Sequence, residues 1–119
     1  LLPALSALAD DKLDGVSVSF SSQASVCVVM AARGYPMAPE KGAVIHGLEN
    51  AAAMEGVQVY QAGTMRNMAG ELVVSGGRVL AVTALADTVR QARERAYAAV
   101  GAISWDGAHW RKDIGARAL

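Results

Sequence analysis

Residues 72–83 of the chain read LVVSGGRVLAVT, two apolar runs separated by Ser-Gly-Gly-Arg. The β-branched residues of both runs favour extended backbone. Two adjacent glycines can adopt the positive φ angles of a tight two-residue turn between antiparallel strands. We therefore predict a hairpin in which residues 72–74 and 79–83 pair, with Arg78 at its tip.

Strand patterns also occur on either side of this stretch. Residues 16–20 alternate polar and apolar side chains, which predicts a half-buried strand. Residues 24–32 are almost continuously apolar and predict a buried strand, in which the single cysteine, Cys27, would be an inert buried thiol. A further strand is predicted at residues 57–60, and residues 65–74 predict two extended segments around a turn at Ala69-Gly70.

Helical patterns alternate with the strands. Leucines at positions 2, 5 and 8 recur at helical spacing, residues 47–54 suit a short helix, and Asp87 or Thr88 can cap a helix that continues to about Ile103. The last of these carries an apolar stripe on one face and charged residues on the other. The combination predicts an α+β domain built on a small, largely antiparallel sheet with two or three helices.

Composition excludes several functions. The 119 residues carry 11 basic and 11 acidic side chains, and no basic block is interleaved with aromatic residues, so no nucleic-acid partner is expected. No apolar run is long enough to span a bilayer, so no membrane partner is expected either. His46 and His109 stand far apart and outside any metal-ligand spacing, and no serine or cysteine lies in a nucleophile motif. We predict no metal site and no catalytic residue.

Two segments are candidate anion sites. The loop from Arg33 to Gly42 places two cations, Arg33 and Lys41, beside glycines whose N–H groups can approach a phosphate or carboxylate. Arg78 follows two glycines, where its guanidinium could bind a phosphate through two hydrogen bonds. The alternative for both segments is a surface turn with solvated charges. Residues 62–64, Ala-Gly-Thr, follow a strand and are interpreted as a plain turn.

Seven short motifs occur in the order and spacing of one family's C-terminal domain: Gly34-Tyr35-Pro36, Glu40-Lys41-Gly42, Ala62-Gly63-Thr64, Gly76-Gly77-Arg78-Val79-Leu80, Val82-Thr83-Ala84, Ala96-Tyr97 and Arg111-Lys112-Asp113-Ile114-Gly115. By these motifs residues 13–119 resemble the C-terminal domain of phosphoribosylamine–glycine ligases. Residues 1–12 resemble the trailing helix of the ATP-grasp region that precedes this domain. Since the chain has no initiator methionine, we expect it to be a fragment of a longer enzyme.

The resemblance implies a cytoplasmic enzyme of purine biosynthesis that joins phosphoribosylamine to glycine with ATP and Mg²⁺ or Mn²⁺, through a glycyl phosphate. In this family the metal- and nucleotide-binding residues lie upstream, so the chain alone should be inactive and bind no cofactor. Its partners would be the N-terminal and ATP-grasp domains of the same polypeptide. By analogy, the wall facing the ribose phosphate or glycine would comprise Gly34, Tyr35, Pro36, Lys41, Gly42, Gly76, Gly77 and Arg78.

Two positions depart from the family pattern. Gln61 stands where many relatives carry histidine before Ala-Gly-Thr, which argues against a general acid at that position. Residues 37–39, Met-Ala-Pro, replace a run that usually contains glycine and indicate a stiffer loop. The alternative to a ligase fragment is a stand-alone module that uses the same loops to bind an anion or another protein.

Overall fold

The computed structural model describes residues 1–119, which form three helices and five strands. In chain order these are α1 (Leu2–Ala9), β1 (Ala24–Ala31), α2 (Leu48–Ala52), β2 (Val57–Gln61), β3 (Thr64–Arg66), β4 (Leu72–Val74), β5 (Arg78–Ala86) and α3 (Val89–Ala102). Every strand pair is antiparallel. The predicted α+β class is confirmed.

Strand β5 is the centre of the main sheet. It pairs with β1 along one edge and with β2 along the other, so the strand order is β1-β5-β2. Its inward side chains alternate along the strand, and those of Val82 and Ala84 are fully buried. Because both edges of β5 are hydrogen-bonded, this strand holds the sheet together.

The predicted hairpin between residues 72–74 and 79–83 is wrong. Strand β4 pairs with β3, around the turn at Ala69-Gly70, in a separate two-stranded sheet. Gly76 and Gly77 do not adopt positive φ angles. The carbonyl of Gly63 instead accepts the N–H groups of Ser75 (2.8 Å) and Gly76 (3.2 Å), which leads the chain past β3 rather than back onto β4.

The strand predicted at residues 16–20 is also absent. These residues pair with no other segment, and the side chains of Val18 and Phe20 are 59% and 93% exposed. An alternating pattern does not reveal whether a neighbouring strand lies within hydrogen-bonding reach, and here no strand pairs with the segment.

Strand β1 forms as predicted but is buried on one face only. The side chains of Val26, Val28 and Met30 lie in the core, whereas Cys27 is exposed on the opposite face. The prediction of a buried thiol was wrong, because an apolar run does not reveal whether both faces of a sheet are covered.

Helix α3 covers the inner face of the sheet, with bounds close to those predicted. The hydroxyl of Thr88 accepts the N–H of Gln91 at 3.2 Å and caps the first turn. The buried positions of the helix are mostly alanines, which let the helix approach β1 and β5 closely. Trp105, after the helix, completes the core.

Helix α1 forms at the predicted position, yet none of its residues is buried. Leu2, Leu5 and Leu8 are all more than half exposed. In this chain, no helix combines the length and the apolar character that crossing a membrane requires.

We expect the alanine stripe of α3 to tolerate no larger side chain. Ala96→Leu should lower the free energy of unfolding by about 1–3 kcal/mol, because the added atoms must enter the fully buried contact with the sheet. Ala98→Leu, the same change on the exposed side of the helix, should alter it by less than about 0.5 kcal/mol. Urea unfolding of both variants measures the difference, and equal effects would contradict the close packing.

Candidate functional site

A groove of about 560 Å³ opens where three segments meet: the loop after β1, the β2–β3 turn and the β4–β5 connection. Backbone hydrogen bonds fasten these segments to the start of β5. The carbonyl of Gly77 accepts the N–H of Ala32 at 2.9 Å, and the carbonyl of Val79 accepts those of Ala62 and Gly63 at 3.0 and 3.2 Å. The groove is lined by Val29, Tyr35, Pro36, Pro39, Ala62, Gly63, Gly77, Arg78, Leu80 and Ala81.

Glycines allow these segments to approach one another. A Cβ at Gly77 would collide with the ring of Tyr35. A Cβ at Gly63 would lie 2.6 Å from the carbonyl oxygen of Arg78 and 2.8 Å from the Cα of Gly76. The glycines of the β4–β5 connection are thus explained by close packing rather than by the tight turn that their sequence suggested.

The loop from residue 33 to residue 42 is ordered by its own hydrogen bonds. The carbonyl of Gly34 accepts the N–H of Ala38 at 2.8 Å, and that of Arg33 accepts the N–H of Glu40 at 2.9 Å. Gly42 then donates to the carbonyl of Val74 at 2.8 Å, which joins the end of the loop to β4. These bonds hold Tyr35 and Pro36 over the groove.

The three cations of the two candidate segments differ in their surroundings. Arg33 lies 2.7 Å from the carboxylate of Asp106 and 3.8 Å from that of Glu40, so its charge is already compensated and the anion role predicted for it is disfavoured. Arg78 and Lys41 are exposed and take part in no ion pair or side-chain hydrogen bond. Of these two, only Arg78 lines the groove.

The structure brings together half of the residues that sequence reasoning selected. Tyr35, Pro36, Gly77 and Arg78 line the groove, and Gly76 is adjacent to it. The other selected residues lie outside the lining: Gly34, Lys41 and Gly42. Ala62 and Gly63, interpreted as a plain turn, are part of the groove. The signal that could have found them is a pair of small residues directly after a strand, where another backbone can approach closely.

The groove is suited to binding rather than to proton transfer. No carboxylate, imidazole or thiol lines it, and one guanidinium supplies its charge. Nowhere in the chain do three or more histidine, cysteine or acidic side chains converge on a point that could hold a metal ion. The lining of the groove, which contains no carboxylate, therefore lacks the oxygen ligands that magnesium prefers.

A second ordered feature lies beside α3, where two half-buried side chains of the helix hold the C-terminal segment. Arg93 donates to the carbonyls of Ile114 (2.9 Å) and Lys112 (2.8 Å). The hydroxyl of Tyr97 donates to the carbonyl of Arg111 at 2.6 Å and accepts the N–H of Ile114 at 3.1 Å. The guanidinium of Arg93 also lies 4.9 Å from the centre of the Tyr97 ring. We call this set of contacts the C-terminal clamp.

Within the clamped segment Arg111 and Asp113 form a bidentate pair, with N–O distances of 2.9 and 2.7 Å. Hydrogen bonding to Arg111 lowers the pKa of Asp113, and the same bond together with the charge of Asp113 raises the pKa of Arg111. Because the folded-state pKa of Asp113 lies below the ordinary value of about 4, the pair is intact above that pH. It is lost as the pH falls through the lowered pKa.

Comparison with known proteins identifies relatives of the whole chain. Residues 25–117 match the family described as Phosphoribosylglycinamide synthetase, C domain. The chain is 51% identical over its full length to the phosphoribosylamine–glycine ligase of Mesorhizobium japonicum, of which it covers 28%. It is 47% identical to the chloroplastic ligase of Arabidopsis thaliana, of which it covers 23%. The chain thus spans about a quarter of the length of these relatives.

A solved structure agrees with these matches. The crystal structure of the phosphoribosylamine–glycine ligase of Thermotoga maritima superposes with a TM-score of 0.66 and 39% sequence identity. The superposition covers 76% of this chain and 21% of that one. Both the sequence and the fold therefore correspond to one part of a larger protein.

Close packing at Gly63 can be tested with two glycine substitutions. Gly63→Ala should destabilise the domain by about 1–3 kcal/mol, because the new Cβ meets backbone atoms on β5 and at Gly76. Gly101 lies in α3, and a Cβ added there would meet no atom within 4 Å. Gly101→Ala should therefore stabilise the domain by roughly 0.5–1 kcal/mol. Thermal unfolding of both variants should move in opposite directions; a stabilised Gly63→Ala variant would contradict the close approach.

The clamp predicts a local effect of removing one hydroxyl. Tyr97→Phe should speed hydrogen exchange at the amide of Ile114, which loses its acceptor, and cost about 1 kcal/mol of stability. Exchange at the amides of β5 serves as the internal control, since these lie within the sheet. Unchanged exchange at Ile114 would show that the clamp does not order this segment.

Proposed function

The chain belongs to the family of phosphoribosylglycinamide synthetase C domains, and on this premise we propose that it acts as the C-terminal domain of a phosphoribosylamine–glycine ligase. The observation that carries the proposal is the match of the whole chain, at 51% identity, to a curated ligase. The complete enzyme would join 5-phosphoribosylamine and glycine, converting ATP to ADP and phosphate, and release glycinamide ribonucleotide for de novo purine biosynthesis.

In this proposal the chain supplies binding surface and other parts of the ligase supply the chemistry. The groove is lined by no carboxylate, imidazole or thiol, and nowhere in the chain do three histidine, cysteine or acidic side chains converge on one point. ATP and its metal would therefore be held by the N-terminal and ATP-grasp domains. The 119-residue chain alone should form no product.

We assign the groove and its rim to the wall that faces a substrate. Phosphoribosylamine carries a phosphate and glycine a carboxylate, and an uncompensated guanidinium binds either anion through two parallel hydrogen bonds. Arg78 is the free cation of the lining, and Lys41 is a second free cation on the neighbouring loop. Fixed charges at these positions would orient the substrate and offset its negative charge.

The neighbouring residues of the proposed wall act by shape. Gly34, Gly42, Gly76 and Gly77 would set the paths of the two segments, while Tyr35 and Pro36 would limit the space beside Arg78. The cytoplasmic location expected from the sequence stays a prediction, since the relative from Arabidopsis thaliana is chloroplastic by name.

Charge removal at the rim tests the assignment in the intact ligase. Arg78→Gln should raise the KM for phosphoribosylamine or glycine by about tenfold, the usual effect of losing one hydrogen bond to a charged group. Lys41→Gln should raise the same KM by a smaller factor, because Lys41 lies outside the lining. Steady-state kinetics with each substrate varied in turn makes the measurement.

The matched control is Arg90→Gln, which removes one positive charge from the exposed side of α3. It should leave both KM values unchanged, and all three variants should keep the unfolding temperature of the parent enzyme. An Arg78→Gln enzyme with the kinetics of the control would remove the groove from the substrate site. An intact enzyme that forms no product with phosphoribosylamine, glycine and ATP would refute the ligase proposal and favour a stand-alone binding module.

A further inference from the structure

One face of the main sheet is covered by no helix or strand of the chain. The strand register places eight side chains on this face in three rows that cross the sheet. The open sheet face, as we name it, comprises Ser25 and Leu85; Cys27, Thr83 and Gln58; and Val29, Ala81 and Tyr60. Helix α3 packs on the opposite face, and within the chain only the loop that carries Tyr35 approaches this face, beside Val29 and Ala81.

The open sheet face exposes apolar surface. Val29 and Leu85 are each 42% exposed and Tyr60 is 56% exposed, while the thiol of Cys27 is exposed between them. In a free-standing antiparallel sheet the face turned to water usually carries polar and charged residues. Large apolar side chains on neighbouring strands of one face are typical of a contact surface.

The open sheet face also carries no charge. None of its eight residues is acidic or basic, although 18% of the residues of the chain are charged. The exposed side of α3, by contrast, carries Arg90 and Glu94. Depletion of charged residues distinguishes the buried centre of a protein interface from ordinary surface. The distribution of charged residues therefore indicates that the outer side of α3 faces solvent and that the open sheet face contacts a partner.

The open sheet face is continuous with the groove, because Val29 and Ala81 belong to both. The ligases that match this chain are almost four times as long, since the chain covers only 28% of the relative from Mesorhizobium japonicum. We take the rest of a polypeptide of that length as the partner that covers the exposed apolar surface.

We propose that the open sheet face is the surface on which the remainder of the ligase polypeptide packs. This inference rests on the proposed function and specifies which surface of the domain makes the contact. Contact at this face would bring the rest of the enzyme to the groove and enclose the end of the sheet that carries Arg78.

The single cysteine of the chain reports directly on this contact. In the intact ligase, alkylation of Cys27 by N-ethylmaleimide is followed by mass spectrometry of its peptide. The comparison is with a thiol introduced by Glu94→Cys on the exposed side of α3. Cys27 should react about tenfold or more slowly than the introduced thiol, because accessibility limits the attack of a thiolate. In urea-unfolded enzyme the two thiols should react at similar rates.

Dilution identifies what covers the surface. If the same polypeptide covers Cys27, the slow alkylation of Cys27 should not change when the enzyme is diluted a hundredfold. Protection that disappears on dilution would assign the face to a second copy and overturn the proposal, as would a Cys27 that reacts as fast as the introduced thiol. Product formation from phosphoribosylamine, glycine and ATP is measured in parallel. An active enzyme with a reactive Cys27 refutes the docking surface alone, whereas an inactive enzyme with a protected Cys27 refutes the proposed function and leaves the surface in place.

Discussion

Hydrogen bonding along both edges of β5 is the constraint on which the rest of this structure depends. The strand joins β1 to β2, and its inward side chains form the base on which α3 packs. Its first residues also build the groove: the carbonyl of Val79 accepts two N–H groups of the β2–β3 turn. Since the same nine residues support the core and the groove, the backbone of Arg78 is held by the central strand of the sheet.

Small residues set the distances between the elements that surround β5. Alanines at the buried positions of α3 let the helix approach the sheet, and Gly63 and Gly77 let three loop segments meet at one end of it. Packing through such residues leaves no room for a larger side chain. The walls of the groove are consequently formed by closely packed backbone atoms together with side chains such as the ring of Tyr35.

The two faces of the main sheet divide the roles of the domain. One face is closed by α3 and carries the core, and Arg93 and Tyr97 of that helix form the C-terminal clamp. The other face is uncharged, exposes the apolar side chains of Val29 and Leu85, and is continuous with the groove. A domain built this way, within a family whose members are far longer, fits a contributing part of an enzyme better than a complete catalyst.

Local patterns predicted the elements well where the signal was contained within the element. The cap at Thr88 and the apolar stripe after it located α3, and the composition of residues 24–32 located β1. The motifs around Gly34, Gly76 and Ala62 pointed to the family that the comparisons then showed. Patterns that depend on a distant partner were misinterpreted, including the strand at residues 16–20 and the hairpin at Gly76-Gly77.

The sequence by itself determined the α+β class, most helices and strands, the family and the likeness of the two loops to an anion site. Only the tertiary structure decided which strands pair, that Arg33 is compensated by Asp106 while Arg78 is free, and that Cys27 lies on an uncovered face. The physical reason is the separation along the chain of the residues that interact. Propensity and capping act between residues a few positions apart, whereas strand pairing, charge compensation and burial depend on residues that only folding brings together.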